Sequence, residues 1–226
     1  MTDPKETDDA RRWSVARHRV SIWGKVIDEV TRKPIAGAEV RLVRVPGKFK
    51  RKLDLLAMHN GAEWEKRNHR PDRTFSRADG LFYFLDLPDG EYEIRAALPN
   101  CGKRYGETSK KKEVSESEGT RLNTLQAMWV SLMLPPTGIR GKVIDAAKKT
   151  GLLMAEVRLR GSGERTFTDG QGVFMLGPIE ASERSERTLE CIAQGYKRKE
   201  KAQIVGPKGG QLLDLGEVRM DALPRA

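Results

Sequence analysis

The sequence predicts an all-β chain built as two tandem seven-stranded β-sandwiches, and three observations predict it. First, Gly24-Lys25-Val26-Ile27-Asp28 returns unchanged as Gly141-Lys142-Val143-Ile144-Asp145. At the same offset and without a gap, Ala38-Glu39-Val40-Arg41-Leu42 is answered by Ala155-Glu156-Val157-Arg158-Leu159. Repetition at a constant offset means one structural unit used twice. Second, short runs rich in β-branched residues alternate apolar and polar positions, and glycine, proline and aspartate punctuate them, which is the signature of strands and tight turns. Third, no long stretch carries a convincing helical period.

In order along the chain, residues 1–18 read as an N-terminal arm whose only large apolar residue is Trp13. The first sandwich spans 19–134. Its first strand has Val20, Ile22, Gly24 and Val26 on the inner face and Ser21, Trp23 and Lys25 on the outer one. Asp28 ends the strand, and Glu29 to Pro34 has the polarity of a connection. Gly37 frees the backbone before Ala38, Val40 and Leu42 alternate inward. Asp79-Gly80, matched by Gln171-Gly172, predicts a hairpin turn with a positive φ at glycine. Phe82 and Phe84, like Phe174 and Leu176, are expected in the core. Leu87-Pro88-Asp89-Gly90 marks a further turn before Tyr92, Ile94 and Ala96. Lys110-Lys111-Lys112 suits an edge strand, where lysines discourage pairing with other chains. Trp129 to Leu134 closes the first unit, with Trp129 expected inside. Residues 135–137, carrying Pro135 and Pro136, form a short stiff linker. The second sandwich spans 138–221, and 222–226 is a tail.

The repeats differ in one place. Thirty residues separate Leu42 from Arg73, but five separate Leu159 from Arg165. The first repeat therefore carries an insertion, at 46–72. Because the second repeat closes without it, the insertion is expected to be a surface segment with a function rather than part of the fold. Lys48, Lys50, Arg51 and Lys52 cluster there, Phe49, Leu53, Leu56 and Met58 offer a short apolar stripe, and Gly61 interrupts any helix. Trp64 supplies an aromatic anchor of the kind enriched at interface centres, next to Lys66 and Arg67. The expected partner-binding set is thus Lys48, Phe49, Lys50, Arg51, Lys52, Trp64, Lys66 and Arg67. The competing expectation is that the segment folds back and buries Leu53, Leu56 and Trp64.

The succession Gly24, Val26, Asp28; Pro34, Gly37, Ala38, Val40; Asp79, Gly80, Phe82, Phe84; Pro88, Gly90, Tyr92 resembles the carboxypeptidase regulatory-like domain, a transthyretin-like (prealbumin-like) Greek-key sandwich. The second repeat departs from the pattern. Gly151-Leu152-Leu153-Met154-Ala155 lacks the proline and glycine, and Pro178-Ile179-Glu180 lacks the turn before the tyrosine. The resemblance covers most of residues 19–221, and it implies a non-catalytic structural or recognition module.

The residues bearing chemistry point the same way. Histidine is scarce: His18 opens a strand, and His59 and His69 lie in the insertion near Glu63 and Glu65 in no recognised metal-ligand spacing. No nucleophile elbow or phosphate-binding glycine loop is present, and Gly161-Ser162-Gly163 joins two predicted strands. The ending Asp221 to Ala226 lacks the Tyr-Arg-Gly-Ser signature of transthyretin-like hydrolases. Asp28 and Asp145 recur at equivalent strand ends, where capping a turn suits them better than acid–base work. No cofactor, metal or enzymatic activity is expected.

Lys and Arg total 42 against 32 Asp and Glu, a net charge of +10. The charges alternate in sign through most of the chain, as on a solvated surface, and no nucleic-acid motif accompanies them. No apolar run reaches the roughly 20 residues that span a bilayer. The polar, acidic start lacks the apolar core of a secretory signal, so a cytoplasmic protein, or part of an assembly built there, is expected. Cys101 and Cys191 sit at non-equivalent places and read as free thiols. Three functions remain on this reading. The chain is a structural or adaptor subunit of a larger protein assembly, for instance a phage-tail-like or contractile injection apparatus. Alternatively it is a cell-envelope module binding glycans or peptides, with Trp13, Trp23, Trp64 or Trp129 stacking on sugars, or a basic nucleic-acid binder.

Overall fold

The computed structural model describes residues 18–68, 70–115, 128–182 and 186–224, with only the backbone of 202–205. The arm and Trp13, His69, and the last two residues of the tail lie outside that description. The first half holds β1 (Val20–Asp28), β2 (Glu39–Arg44), α1 (Gly47–Asn60), α2 (Glu63–Lys66), β3 (Arg73–Phe75), β4 (Leu81–Leu85), β5 (Gly90–Ala97), β6 (Thr108–Val114) and β7 (Trp129–Leu134). The second holds β8 (Gly138–Asp145), β9 (Glu156–Leu159), β10 (Arg165–Phe167), β11 (Val173–Leu176), β12 (Glu186–Ile192), β13 (Lys199–Val205) and β14 (Leu212–Met220). Each half has a three-stranded and a four-stranded sheet, ordered β4-β1-β7 and β3-β2-β5-β6, then β11-β8-β14 and β10-β9-β12-β13. The two plans agree strand for strand, down to the parallel pairing of first and last strands (β1 with β7, β8 with β14) among otherwise antiparallel neighbours. The lysine-rich β6 is an edge strand.

Identical sequence does identical work in the two cores. Val26 and Val143 are both fully buried. The Val26 N–H donates to Gly80 O at 2.9 Å and the Val143 N–H to Gly172 O at 2.8 Å. Gly80 and Gly172 adopt φ of 78° and 80°, and a Cβ on either would press into the same valine's carbonyl, at 2.6 and 2.3 Å. A side chain is excluded there by backbone angle and by space. Gly24 and Gly141 make room for the rings of Phe82 and Phe174, which a Cβ would meet at 2.8 and 2.9 Å.

The repeated aspartates cap turns, as their positions suggest. Asp28 Oδ1 accepts the Val30 and Thr31 N–H groups at 2.9 and 2.7 Å, while Oδ2 accepts the Tyr105 hydroxyl at 2.8 Å. Asp145 does the same with Ala147 and Lys148, at 2.8 and 2.9 Å, and with Tyr196 at 2.8 Å. Burial pushes the Asp28 carboxyl up, but the bonds from Thr31, Tyr105 and Val30 outweigh it and hold the group below the usual carboxylate range. At Asp145 the Lys148 N–H and the Tyr196 hydroxyl lower the carboxyl likewise.

Three local expectations are corrected. Val20 is exposed and Ser21 is buried, because a register shift between Val20 and Ile22 inverts the alternation at the start of β1; Ser21 Oγ then accepts the Leu87 N–H at 2.9 Å. Trp129 is not a core residue. It stands opposite Trp23 in the parallel ladder and shares its outer face, the rings meeting edge to face at 4.4 Å. The insertion contains a helix of 14 residues, α1. Residues 135–137, expected as a short stiff linker, form a packed joint. The Gly106 N–H donates to Pro135 O, the Thr137 N–H to Arg104 O and the Thr137 hydroxyl to Lys103 O, at 2.9, 2.8 and 2.6 Å. Lys103 N–H and Arg104 Nη1 continue to Glu180 Oε1 and Pro178 O of the second sandwich, at 2.9 and 3.1 Å. Thr137 is fully buried.

Candidate interaction site

The insertion begins where Pro46 leaves β2. No side chain caps α1, no acidic residue occupies its first turn, and Lys48 and Lys50 stand there against the helix dipole. Tertiary packing must hold it instead. Phe49 is buried in the first sandwich's core beside Tyr92, ring centroids 6.1 Å apart, and the half-buried Leu53 packs against the same cluster. Pro46 lies over Gly90, where a Cβ would meet its ring at 2.5 Å; Gly90 also has a φ of 139°. The helix stops at Gly61 (φ 53°), whose N–H returns to Ala57 O at 2.9 Å.

The way back to the sheet is held by one arginine. Trp64, on the single turn α2, is buried with the Arg70 guanidinium 4.8 Å over its ring. Arg70 Nε and Nη2 clasp both carboxylate oxygens of Asp72 at 3.0 and 2.9 Å, and Nη1 donates to Glu65 at 2.8 Å. Arg73 Nη2 donates to Glu65 O at 2.8 Å and to Arg67 O. Sequence reasoning singled out neither Arg70 nor Asp72; the available signal was an arginine and an aspartate two apart beside a tryptophan, just where the repeats realign.

Of the residues expected to bind a partner, the structure thus withdraws two from the surface. Phe49 is a core residue, and Trp64 is buried under Arg70. The expectation that the fold could do without the insertion is corrected with them. Lys48, Lys50, Arg51, Lys52, Lys66 and Arg67 are exposed. At 100° per residue Phe49, Leu53 and Leu56 fall on one face of α1, whereas Met58 lies half a turn round from Phe49. That opposite arc carries Lys48, Lys50, Arg51, Asp54, Leu55 and Met58, all exposed, with Leu55 and Met58 at 67% and 81%, whereas Lys52 falls on the side of Phe49. Glu63 and Glu65, which follow His59 in the insertion, pair with Lys66 and Arg70 at 2.7 and 2.8 Å. Among the described residues no cluster of potential metal ligands occurs.

Two other surfaces stand out. On the outer face of the first three-stranded sheet, Tyr83, Trp23 and Trp129 lie in cross-strand register. The 73° between the tryptophan planes makes this a ridge rather than a flat stacking platform. In the second half Glu190, its side chain 2% exposed, is held by Arg158 at 2.8 Å, Arg160 at 3.7 Å and Arg198. The Arg198 and Arg158 guanidiniums hold its carboxyl below the ordinary range. Among the described residues no helix is long and apolar enough to cross a membrane.

No family model and no curated protein matches the chain. Solved structures do. A type II cohesin–X-dockerin complex from Acetivibrio cellulolyticus aligns at 17% identity over 38% of this chain and 58% of that one, with a TM-score of 0.32. The TIE protein of Bacillus anthracis aligns at 14% identity over 90% and 34%, with a TM-score of 0.33. The shaft pilin SpaA from Lactobacillus rhamnosus GG aligns at 10% identity over 91% and 98%, with a TM-score of 0.36. At such values the likeness says nothing of what this chain binds or builds.

Proposed function

We propose that the chain is a non-catalytic structural or adaptor subunit that presents the insertion of its first sandwich to a protein partner within a larger assembly. The observation that carries this is the outer arc of α1, where exposed Leu55 and Met58 stand among Lys48, Lys50 and Arg51. A helix already anchored by Phe49 displays large apolar side chains and basic ones together on its free face, a composition suited to an acidic partner with an apolar pocket. The packed joint at Thr137 supports the reading, since it suits a rigid spacer. The finer assignment to carboxypeptidase regulatory-like, transthyretin-like domains belongs to the same proposal and rests on the motif residues Gly24, Asp28, Gly80, Gly90 and Tyr92. A phage-tail-like or contractile apparatus, built in the cytoplasm, is the kind of assembly in view, on the tandem plan alone.

The test is purification of the full tagged chain from its own cells, beside a variant carrying Leu55→Ser, Met58→Ser and Arg51→Glu. These positions are exposed, so the melting temperature should be unchanged. A discrete protein assembly is expected with the wild type and is lost with the variant. Polysaccharide alone, or an assembly that the variant retains in full, overturns the proposal.

A further inference from the structure

A second feature of the first sandwich names the chemistry of a ligand. A cleft of ≈ 440 Å³ runs along the open side of the sandwich, between the outer edges of β3 and β4 and beside α1. Its floor includes both Phe82 and Phe84, which face the core, and Leu81, Tyr83 and Leu85, which face outward. Side chains of both faces line the cleft because the backbone edge of β4 itself borders it. β4 pairs only with β1 and β3 only with β2, so among the described residues each leaves one edge without a strand neighbour. An unpaired edge is a template for another extended chain.

The charges along the cleft are one-sided. Asp86, the only acidic residue lining it among the described residues, is taken by His18 at 2.5 Å and by the Arg19 N–H at 2.8 Å. Arg70 is neutralised by Asp72 and Glu65. Lys52, Arg73 and Arg77 make no ion pair within 4 Å among the described residues, although Asp86 lies within electrostatic reach of Lys52 and Glu65 of Arg73. Arg73 is buried, and its Nε lacks any acceptor among those residues. A buried guanidinium N–H without an acceptor is costly, and Arg73 adds its positive charge to that wall of the cleft.

We infer that this cleft receives an extended segment of a partner protein, added as a strand against β4, whose side chains alternate between apolar and acidic. Backbone pairing with the edge gives affinity, and Arg73, Arg77 and Lys52 select the acidic side chains. At the equivalent place in the second sandwich the groove is smaller among the described residues. Between β10 and β11 the groove is ≈ 220 Å³ and includes Glu164, Pro178 and Ile179, all three of which belong to the joint. This inference rests on the adaptor reading but uses residues outside the α1 arc.

The probe is a fluorescein-labelled peptide of about ten residues, alternating Val and Glu, a typical strand length or slightly more. Saturable binding to the full chain is expected, weakening with salt, and about tenfold tighter than that of the matching Val and Lys peptide. Arg77→Glu, at an exposed position, should lose about tenfold for the acidic peptide and not for the basic one. Methylating alternate backbone nitrogens should abolish binding in one of the two registers, because a strand donates to one neighbour through every second N–H. Equal affinity for the two peptides, binding that survives both methylated registers, or no binding near ~1 mM overturns the inference. If the chain still enters its assembly while the peptide result is negative, the cleft is refuted and the adaptor reading stands. If the peptide binds but no assembly forms, the adaptor reading fails alone.

Discussion

The two sandwiches share a strand plan, a parallel closing strand, a capped aspartate and a glycine-gated turn, yet they solve one problem differently. Between the second and third strands the second repeat crosses with residues 160–164, and Leu159 and Leu189 belong to a core of strand and loop residues that draws on no helix. The first repeat sends out α1 and α2 and draws Phe49 back into the same end of its core. The difference shows that an insertion can be both foldable surplus and structural necessity. One face of α1 replaces packing that the second sandwich obtains from its own strands, and this frees the other face to carry exposed Leu55 and Met58. Beside the same insertion, the side of the sandwich along β4 holds a cleft of ≈ 440 Å³, whereas the groove between β10 and β11 holds ≈ 220 Å³.

The sharpest way to break that comparison is Phe49→Ala. If α1 is part of the first core, removing a ring that is 1% exposed should cost about 3–5 kcal/mol, read as a lowered denaturation midpoint of the first sandwich. A cost under about 1 kcal/mol, in the range of surface changes, would make the helix an appendage and the two sandwiches equally self-sufficient.

Much of this was legible in the sequence because it is local. Alternation, turn glycines and the gapless repeat placed the strands, the hairpins at Gly80 and Gly172, the lysine edge at β6 and the capping role of Asp28 and Asp145. What was not legible depends on partners far along the chain. α1 lacks a capping side chain and starts with two lysines, so its beginning carries none of the usual signals. Its Phe49, Leu53 and Leu56 stripe was visible, but including Met58 mixed two faces of the helix. Trp129 faces outward because of its register against Trp23, and alternation within one strand cannot reveal which phase is inside. The joint depends on 103–106 meeting 135–137, a pairing with no sequence signature. The free edge of β4 likewise follows from topology.

A smaller effect tests whether the repeated aspartates are equivalent. Both carboxyls are held below their ordinary range in the folded chain. A depressed folded pKa contributes stability above the unfolded value of about 3.9, and that stability is lost as pH falls through the folded value. Asp28→Asn and Asp145→Asn should therefore each destabilise at pH 7, with the gap from wild type narrowing below about pH 4. Asp28 is expected to give the larger change, because its partner Tyr105 adjoins the joint at Gly106 and Pro135. Melts at a series of pH values check this, and a gap that stays constant with pH would show that neither carboxylate is held by its charge.

The smallest expected effect isolates the backbone. Gly37 (φ 71°) and Met154 (φ 59°) occupy equivalent places before the second strand of each sandwich. Gly37 has open space around it, so a Cβ there meets no atom, and Met154 is 63% exposed. Packing is therefore nearly silent at both positions. Left-handed backbone costs a side-chain-bearing residue roughly 1–2 kcal/mol, whereas glycine's extra freedom when unfolded costs roughly 0.5–1 kcal/mol. Met154→Gly should then stabilise the second sandwich by up to about 1 kcal/mol, and Gly37→Met should destabilise the first by a similar amount. Opposite shifts of comparable size in the two denaturation midpoints are the expected result. Shifts of the same sign would mean that the two turns, although superimposable in φ, are held by different surroundings.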